Sequence, residues 1–440
     1  MEEQKAQHMS IRWHELADVE TEKSALHSTL KEKSALVGRL SLMMLSAGTS
    51  AWRVRASMNR LARGLGITVN ADIGLLSVSY TCMEGGETYT NALSIPRTGV
   101  NMEKLRHLEY FADSFPERAD RYSVEQFHSI LDKFEQQPGH YRAWQVALAA
   151  GAACAAFAFL LGGGPLEMLF AFFGASAGQF LRKKLIEKHI TLLANVSVSV
   201  ALACAVYVLC CKLWEAFGGV GSAENAGYIC SMLFVIPGFP LITGGIDLAK
   251  LDLRSGLERL TYALLIILTA TLTGWLTARA FLFSPTDFPE LTLKGGVRLL
   301  LRLEASFIGV YGFSYLFNSR RRLALTAGLI GMAANTFRLL LVDYTEIAPN
   351  TAAFFGAFTA GILAGLAVKK LGCPRIALTV PAIVIMVPGM YLYKGIFYLN
   401  ADAVADGTMW LLKAVKIMTA LPLGLIFARI VSDGNFRRSS

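Results

Sequence analysis

The chain has 440 residues, of which 54% are hydrophobic and only 17% are charged, and its mean hydropathy is +0.44. This composition is too apolar for an ordinary soluble protein of this length and indicates a membrane protein. The net charge of +9 arises entirely beyond residue 142, in the hydrophobic part. In a hydrophobic region, an excess of Lys and Arg is expected in the loops, where it orients the membrane helices. This placement excludes a nucleic-acid-binding surface.

The first 140 residues predict a polar tail and a small domain. Residues 1–30 lack the apolar core of a signal peptide, so we expect this end in the cytoplasm. Residues 31–140 predict a cytosolic α/β domain with helices at about 31–47, 50–63, 102–114 and 123–137 and strands at 73–83 and 87–95. Glu84-Gly85-Gly86 is a hairpin signal, and Ser123 with Gln126 is a capping box. Pro138-Gly139 marks the predicted domain boundary.

Ten apolar segments follow, each long enough to cross about 30 Å of hydrocarbon. They are predicted at 143–162, 165–182, 191–212, 227–246, 259–282, 298–317, 323–342, 351–369, 375–395 and 408–430. The loops assigned to the inside hold 16 Lys and Arg residues, and those assigned to the outside hold 5. Both termini, including a tail at 431–440, are therefore expected in the cytoplasm.

The ten segments divide into two halves, 143–282 and 298–430, around the acidic, proline-containing loop Ser284 to Glu290. Weak similarity relates the halves, since Gly174 to Gln179 with Arg182 is similar to Gly328 to Met332 with Asn335 and Arg338. Because each half has an odd number of segments, the second half would enter the membrane in the opposite direction. The fold class predicted is thus all-α and polytopic, with two inverted five-helix repeats and a site near the bilayer midplane.

Each half carries a Pro-Gly step inside an apolar segment, Pro237-Gly238 and Pro388-Gly389. Proline removes a backbone donor and glycine relaxes the backbone, so each step predicts a broken membrane helix. The ends of a broken helix offer N–H groups to a carboxylate and carbonyls to an ammonium group or an ion. A proline kink filled by a neighbouring helix is the structural alternative at each step.

Several motifs resemble the threonine/serine exporter family. They are Ala47-Gly48-Thr49-Ser50 with Arg53-Val54, the run Leu61 to Gly66, Gly99-Val100-Asn101, the run Ile236 to Ile242 with Gly244, Asp247, Gly256 and Arg259, and Val387-Pro388-Gly389. The resemblance spans about residues 35–430. It implies an exporter of threonine and serine in a bacterial inner membrane, or of a small dicarboxylate such as succinate, as in split relatives.

Charged and polar residues within the predicted spans are candidates for binding substrate. Arg302, Glu304, Arg338, Lys413 and Lys416 lie in the second half, and Lys416 is the deepest of the lysines. Snorkelling to the interface, or pairing with other groups, is the structural alternative for most of them.

Two further candidates have equally plain structural alternatives. Asp247 follows the first break and could take a substrate ammonium group or a proton, or it could cap the next loop. Asn335 could hydrogen-bond to substrate or to a neighbouring helix. The substrate-binding set predicted is Pro237, Gly238, Asp247, Asn335, Arg338, Pro388, Gly389 and Lys416.

The sequence predicts a transporter and not an enzyme. None of its 7 histidines falls in a predicted span, its 7 cysteines read as small core residues, and it has no nucleotide-binding or nucleophile-elbow motif. We therefore expect no cofactor and no metal, and coupling to an ion gradient with H+ as the ion. A channel, a membrane sensor or a scaffold are the rival classes, and a homo-oligomer is compatible with the sequence.

Overall fold

A computed structural model describes residues 11–16, 23–219, 224–283, 293–434 and 436, without the side chains of 224–226. The chain divides into two compact units. The N-terminal unit comprises residues up to Gly139 together with Ile246–Arg259, and the helical unit comprises His140–Gly245 and the residues from Leu260 onward. The predicted loop Ser284 to Glu290 and most of the two predicted tails lie outside the described residues.

The N-terminal unit combines four helices with one small sheet. Its elements are α1 Leu30–Ser46, α2 Ala51–Gly64, β1 Thr68–Ile73, β2 Ser77–Glu84, β3 Glu87–Ser94, α3 Met102–Ser114 and α4 Val124–Gln136. Short 3-10 helices at Trp13–Leu16 and Ala25–His27 precede them. The four predicted helices are confirmed within a residue or two. Almost every side chain of α1 is buried, so α1 is the centre of this unit.

The sheet is antiparallel in the order β1-β2-β3. The predicted hairpin is confirmed, since Glu84 pairs with Glu87 across a two-residue turn. Gly85 (φ 56°) and Gly86 (φ 90°) both have positive φ, which a tight hairpin turn of this kind requires. The strand predicted at 73–83 instead begins at Ser77, and β1 was missed, because Asn70 and Asp72 interrupt its apolar pattern.

The helical unit contains long helices and two broken ones. Its elements are α5 Ala143–Leu160, α6 Pro165–Glu187, α7 Leu192–Ala216, a 3-10 helix Glu224–Val235, α8 Gly238–Ala249, α9 Leu253–Ala280, α10 Gly295–Leu316, α11 Arg321–Tyr344, α12 Pro349–Leu371, α13 Ile376–Val384, α14 Gly389–Asn400 and α15 Val404–Ser432. Short stretches of α8 and α9 belong to the N-terminal unit.

Within the described residues, seven helices are long and apolar enough to cross a membrane: α5, α7, α9, α10, α11, α12 and α15. Two bent pairs raise the number to as many as nine. The pairs are 227–235 with α8, bent by 62°, and α13 with α14, bent by 50°. The predicted segment 165–182 forms α6, which is not among these candidates. The chain is thus a mostly helical, polytopic membrane protein with a small sheet near its N-terminus.

Candidate functional site

The two Pro-Gly steps interrupt their helices with the same backbone turn. Gly238 N donates to Ile236 O at 2.8 Å, and Gly389 N donates to Val387 O at 2.8 Å. At Pro388 the angles φ −79° and ψ 54° are those of an inverse γ-turn, which closes this three-residue hydrogen bond. The preceding helices end at Val235 and Val384, so each stops a few residues before its proline, and the break that the sequence predicts is present.

A new helix restarts directly after each turn. Leu241 N donates to Pro237 O, and Leu392 N donates to Pro388 O, both at 3.1 Å. The earlier N–H groups of α8 and α14 have no acceptor within their own helices, and the last carbonyls of the preceding helices have no donor there. Each break thus brings a positive helix end and a negative helix end together.

The two breaks pack against each other. A Cβ placed on Gly238 would lie 2.6 Å from Val384 Cγ2, on the helix that leads into the second break. A Cβ placed on Gly389 would overlap Ile236 Cδ1, directly before the first break. A side chain at either position would displace Val384 or Ile236, so glycine at both positions allows the breaks to pack closely. The structure therefore brings Pro237-Gly238 and Pro388-Gly389 into one place, which the sequence could only suggest.

A cavity of about 250 Å³ opens beside the paired breaks. Gly238, Pro388 and Gly389 line it together with Arg338 of α11 and Tyr391 of α14. The rest of the lining is apolar and comes from α5, the 3-10 helix, α10, α11, α13 and α15. Among the described lining residues Arg338 carries the only charge, so the cavity is a small apolar pocket with one cation.

Arg338 is held in position by a short polar chain. Its Nε donates to Asn335 Oδ1 at 3.0 Å, and Asn335 Nδ2 donates to Ser306 Oγ on α10 at 2.9 Å. Asn335 is fully buried. No carboxylate in the described part of the chain forms an ion pair with Arg338, so its terminal N–H groups are suited to a carboxylate ligand.

Most of the other charged candidates lie away from this cavity. Arg302 is nearly buried and pairs with Asp343 of α11. Glu304 is exposed and lines a separate apolar groove. Lys413 and Lys416 are both exposed on α15, where Lys413 lies 4.7 Å from the ring of Trp410. Helix α15 contributes Ile417 to the lining of the cavity, whereas Lys416, which the sequence predicts at the site, does not line it.

Asp247 belongs to the N-terminal unit, where it forms a buried ion pair. Arg259 Nε donates to Asp247 Oδ2 at 3.0 Å, and both side chains are buried. Asp247 also accepts hydrogen bonds from Ser255 Oγ at 2.9 Å and from Ala51 N, the first residue of α2, at 3.1 Å. Arg259 Nη2 donates to Thr49 O at 2.6 Å. The carboxylate is therefore fully engaged in holding this unit together.

One buried acid was missed by the sequence analysis. Glu167, in the first turn of α6, is only 4% exposed. It packs against the 3-10 helix, since a Cβ placed on Gly227 would lie 2.7 Å from Glu167 Cβ. No Lys, Arg or His among the described residues lies within ion-pair distance of it. Glu167 lies near the start of the predicted segment 165–182, and the sequence does not show that its side chain is buried.

Comparisons with known proteins assign the family. Residues 35–282 match the family described as "Putative threonine/serine exporter", and residues 303–431 match the one described as "Threonine/Serine exporter, ThrE". The chain belongs to the threonine/serine exporter family. This is a family of membrane transporters and not of enzymes, and the match extends over both predicted halves. The resemblance seen in the sequence is thereby confirmed.

Three relatives illustrate the range of the family. The "Threonine/serine exporter" of Corynebacterium glutamicum is 25% identical over 442 residues, covering 92% of this chain and 83% of its own. The "Probable succinate transporter subunit YjjP" of Escherichia coli strain K12 is 27% identical over 238 residues, which are 53% of this chain and 88% of that protein. The protein of the same name from Klebsiella aerogenes is 26% identical over 232 residues, which are 52% of this chain and 85% of that protein. No solved structure matches the chain.

Proposed function

We propose that this threonine/serine exporter family member exports threonine and serine by secondary active transport, with the substrate bound in the cavity beside the paired breaks. One observation carries the proposal: Arg338, which has no carboxylate partner among the described residues, lines the same cavity as Gly238 and Gly389. A substrate carboxylate would bind the terminal N–H groups of Arg338 and the N-terminal end of α14.

The cavity suits a zwitterion. The carbonyl ends of α13 and of the 3-10 helix meet the same breaks and would accept hydrogen bonds from a substrate ammonium group. No Asp or Glu is needed for this, and none of the described lining residues is acidic. A volume of about 250 Å³ is sufficient for a small amino acid.

Succinate is the second candidate, favoured by the named function of the two YjjP relatives. A dicarboxylate would require two cationic groups. The described lining offers one guanidinium, so the second carboxylate would have no cationic side chain as partner and would carry a larger desolvation cost. This asymmetry is the reason that we place threonine and serine first.

The matching backbone turns support two five-helix repeats of inverted topology, making ten crossings with both termini in the cytoplasm of a bacterial inner membrane. Hydrogen bonds of equal length recur at equivalent positions of the two breaks. Arg182 and Arg338 follow weakly similar stretches in the two halves, and Arg182 Nη1 donates to Phe234 O, three residues before Pro237. In this scheme the repeats move against each other about the cavity and expose it alternately to the two sides.

Coupling to the proton gradient requires a group that exchanges a proton during the cycle, and we assign this role to Glu167. An unpaired acid buried in a membrane helix is costly unless it has a function. Glu167 contacts the 3-10 helix that ends at the first break, so its protonation would act on the helix that lines the cavity. Tyr207 also lies beside Gly227 of the same 3-10 helix.

Counterflow in proteoliposomes tests the substrate. Purified protein is reconstituted with unlabelled threonine, serine or succinate inside, and entry of the labelled compound is followed. We expect exchange of threonine and serine that saturates with concentration, and weak exchange of succinate. Saturable exchange also separates a carrier from a channel. Exchange of succinate alone would reverse the order of the two candidates, and movement of none of the three would refute the proposal.

A further inference from the structure

A second, strongly basic cavity of about 430 Å³ lies in the helical unit, between the starts of α5 and α11. It is lined by His140, Tyr141, Gln145, Arg320, Arg321 and Arg322. None of these residues lines the cavity at the breaks. The basic cavity is therefore a separate feature, for which the proposed transport cycle has no use.

The charge at this cavity is unfavourable for the two helices that form it. Arg321 and Arg322 are the first residues of α11, Arg320 is its N-cap, and its first turn contains no acid. Helix α5 is similar, since Arg142 is its N-cap and its first turn also lacks an acid. The N-terminal end of a helix carries partial positive charge and favours anions, so cations here are opposed by the dipole and by one another. A bound anion would remove both penalties.

Two of the three arginines lack a protein anion in the part of the chain that the structure describes. No carboxylate of a described residue pairs with Arg321 or Arg322. A further cation lies close by, because Lys183 Nζ of α6 donates to Tyr141 O at 3.0 Å. The site thus gathers positive charge from three helices.

The wall of the basic cavity is rigid. The buried Tyr141 donates its hydroxyl to Ser319 O at 2.7 Å, and its ring stacks on Tyr315 with centroids 4.0 Å apart. His140 N donates to Asn318 Oδ1 at 2.9 Å. These contacts tie the start of α5 to the loop before α11, so the arginines surround a preformed concave surface.

We propose that the basic cavity binds the phosphate of an anionic phospholipid head group. Guanidinium groups match phosphate oxygens by paired hydrogen bonds, and basic pockets between membrane helices are typical sites for acidic lipids. The neighbouring Trp144 is 52% exposed at the start of α5, the position of an aromatic side chain at a membrane interface. This places the cavity at head-group depth, where a lipid phosphate is the abundant anion. The proposal is independent of the substrate assigned above.

Lipid retention by the full-length protein tests this inference. Protein is purified in mild detergent, incubated with phosphatidylglycerol or phosphatidylcholine, and examined by native mass spectrometry. We expect selective retention of phosphatidylglycerol. The triple variant Arg320→Gln, Arg321→Gln, Arg322→Gln should retain it about a hundred-fold less well, given the contribution of each of the three cations near an anionic surface. The variant Arg320→Lys, Arg321→Lys, Arg322→Lys keeps the loop charge that orients the helices. Its retention of phosphatidylglycerol should lie between that of the glutamine variant and that of the unmodified protein.

A matched control removes three other exposed cations of the helical unit, in the variant Lys188→Gln, Lys369→Gln, Lys370→Gln. This control should retain phosphatidylglycerol like the unmodified protein. Equal loss in the control and in the arginine variant would refute the site, since net charge alone would then explain retention. Complete displacement of the lipid by millimolar inorganic phosphate would also overturn the proposal, because a free anion would then be the preferred ligand.

Discussion

Gly389 packs directly on Ile236, so the glycine of the second Pro-Gly step touches the residue before the first one. Gly238 has the corresponding contact with Val384, before the second step. The two breaks are therefore in direct side-chain contact, so a change of packing at one of them acts on the other.

The first prediction concerns this contact. Gly389→Leu places a side chain on Ile236 and forces the breaks apart, at a packing cost of about 1–3 kcal/mol. We expect counterflow of threonine to fall to background while the variant still inserts into the membrane. Gly296→Leu is the matched control, because a Cβ on Gly296 meets no atom within 4 Å. Normal counterflow in Gly389→Leu would show that the contact is not needed for transport.

The second prediction concerns the cation of the cavity. Arg338→Gln removes a charged hydrogen-bond donor worth about 1.5–3 kcal/mol, so the KM for threonine should rise about ten- to hundred-fold. Asn335→Asp should be nearly as harmful, because the new carboxylate would pair with Arg338 in place of the substrate.

Initial rates of counterflow across a range of threonine concentrations measure this effect. Asn335→Ala should raise KM with little change in the maximal rate, since it only loosens Arg338. Arg298→Gln, which removes an exposed arginine of α10, and Lys416→Ala serve as controls and should leave both parameters unchanged. An unchanged KM in Arg338→Gln would move the substrate to another site.

The third prediction separates coupling from binding. Glu167→Gln cannot release a proton, so transport driven by a pH gradient should disappear while counterflow, which needs no net proton movement, persists. The measurement compares both modes in the same proteoliposomes. Glu304→Gln, at an exposed acid of the same unit, should retain both modes. Gradient-driven transport by Glu167→Gln at the unmodified rate would exclude Glu167 as the proton carrier.

The fourth prediction treats Asp247 as a structural residue. Asp247→Ala leaves Arg259 buried without its partner, which typically costs about 3–5 kcal/mol. We expect a lower midpoint of thermal unfolding of the full-length protein, and an unchanged KM in the fraction that remains folded. Asp252, directly before α9, pairs with the half-exposed Arg55, whose guanidinium can be solvated when the carboxylate is removed, so Asp252→Ala should cost less. A raised KM without loss of stability would return Asp247 to the substrate site.

The sequence predicted local features well and spatial ones poorly, for physical reasons. Capping and turn residues such as Ser123 and Gly85 act within a few positions of themselves, so their effects could be predicted from composition and spacing. Pro388 is similar, because a proline followed by glycine strongly disfavours continuation of a helix, although Pro381 and Pro422 lie within helices. In contrast, α15 is apolar on most of its surface, so periodicity could not show that Lys416 faces outward and Ile417 inward.

Pairing over long sequence distances was equally hidden. The ion pair of Arg302 with Asp343 and the ligands of Asp247 depend on how helices pack, and one sequence contains no record of that. Weak similarity marks Arg182 and Arg338 in the sequence, but the position of Arg338 in the cavity at the breaks depends on how the helices pack.

The fifth prediction concerns acid sensitivity of the N-terminal unit. His128 is fully buried beside Trp13 and His14, and neither of its ring nitrogens has a hydrogen-bond partner. Burial, together with the nearby charge of Arg39, lowers the pKa of His128 to about 3. The unfolded chain binds a proton near pH 6.5 that the folded unit excludes. Stability should therefore be complete above about pH 6.5 and fall as the pH decreases towards 3.

Neighbouring groups respond differently to acid. Burial opposes protonation of His14, but hydrogen bonds to Glu125 and Asp132 outweigh it and raise its pKa, so protonated His14 stabilises the fold at low pH.

The variant His128→Phe keeps the aromatic contact with Trp13 and removes the imidazole that titrates. Near pH 4.5 we expect it to recover roughly 1–3 kcal/mol relative to the unmodified protein.

Hydrogen exchange of α4 in the full-length protein, corrected for the intrinsic pH dependence of exchange, measures this recovery. Protection of α4 in the unmodified protein should decrease from pH 6.5 to about 4.5, and His128→Phe should flatten that decrease. His27→Phe, at a histidine whose side chain is 67% exposed, should leave the decrease intact. An equal decrease in His128→Phe and in the unmodified protein would contradict the role of His128 and assign the acid sensitivity to carboxylates such as Asp132. Burial raises the pKa of Asp132, but Arg39 and His14 outweigh burial and hold this pKa below its usual value, so protonation of Asp132 at low pH would weaken the fold.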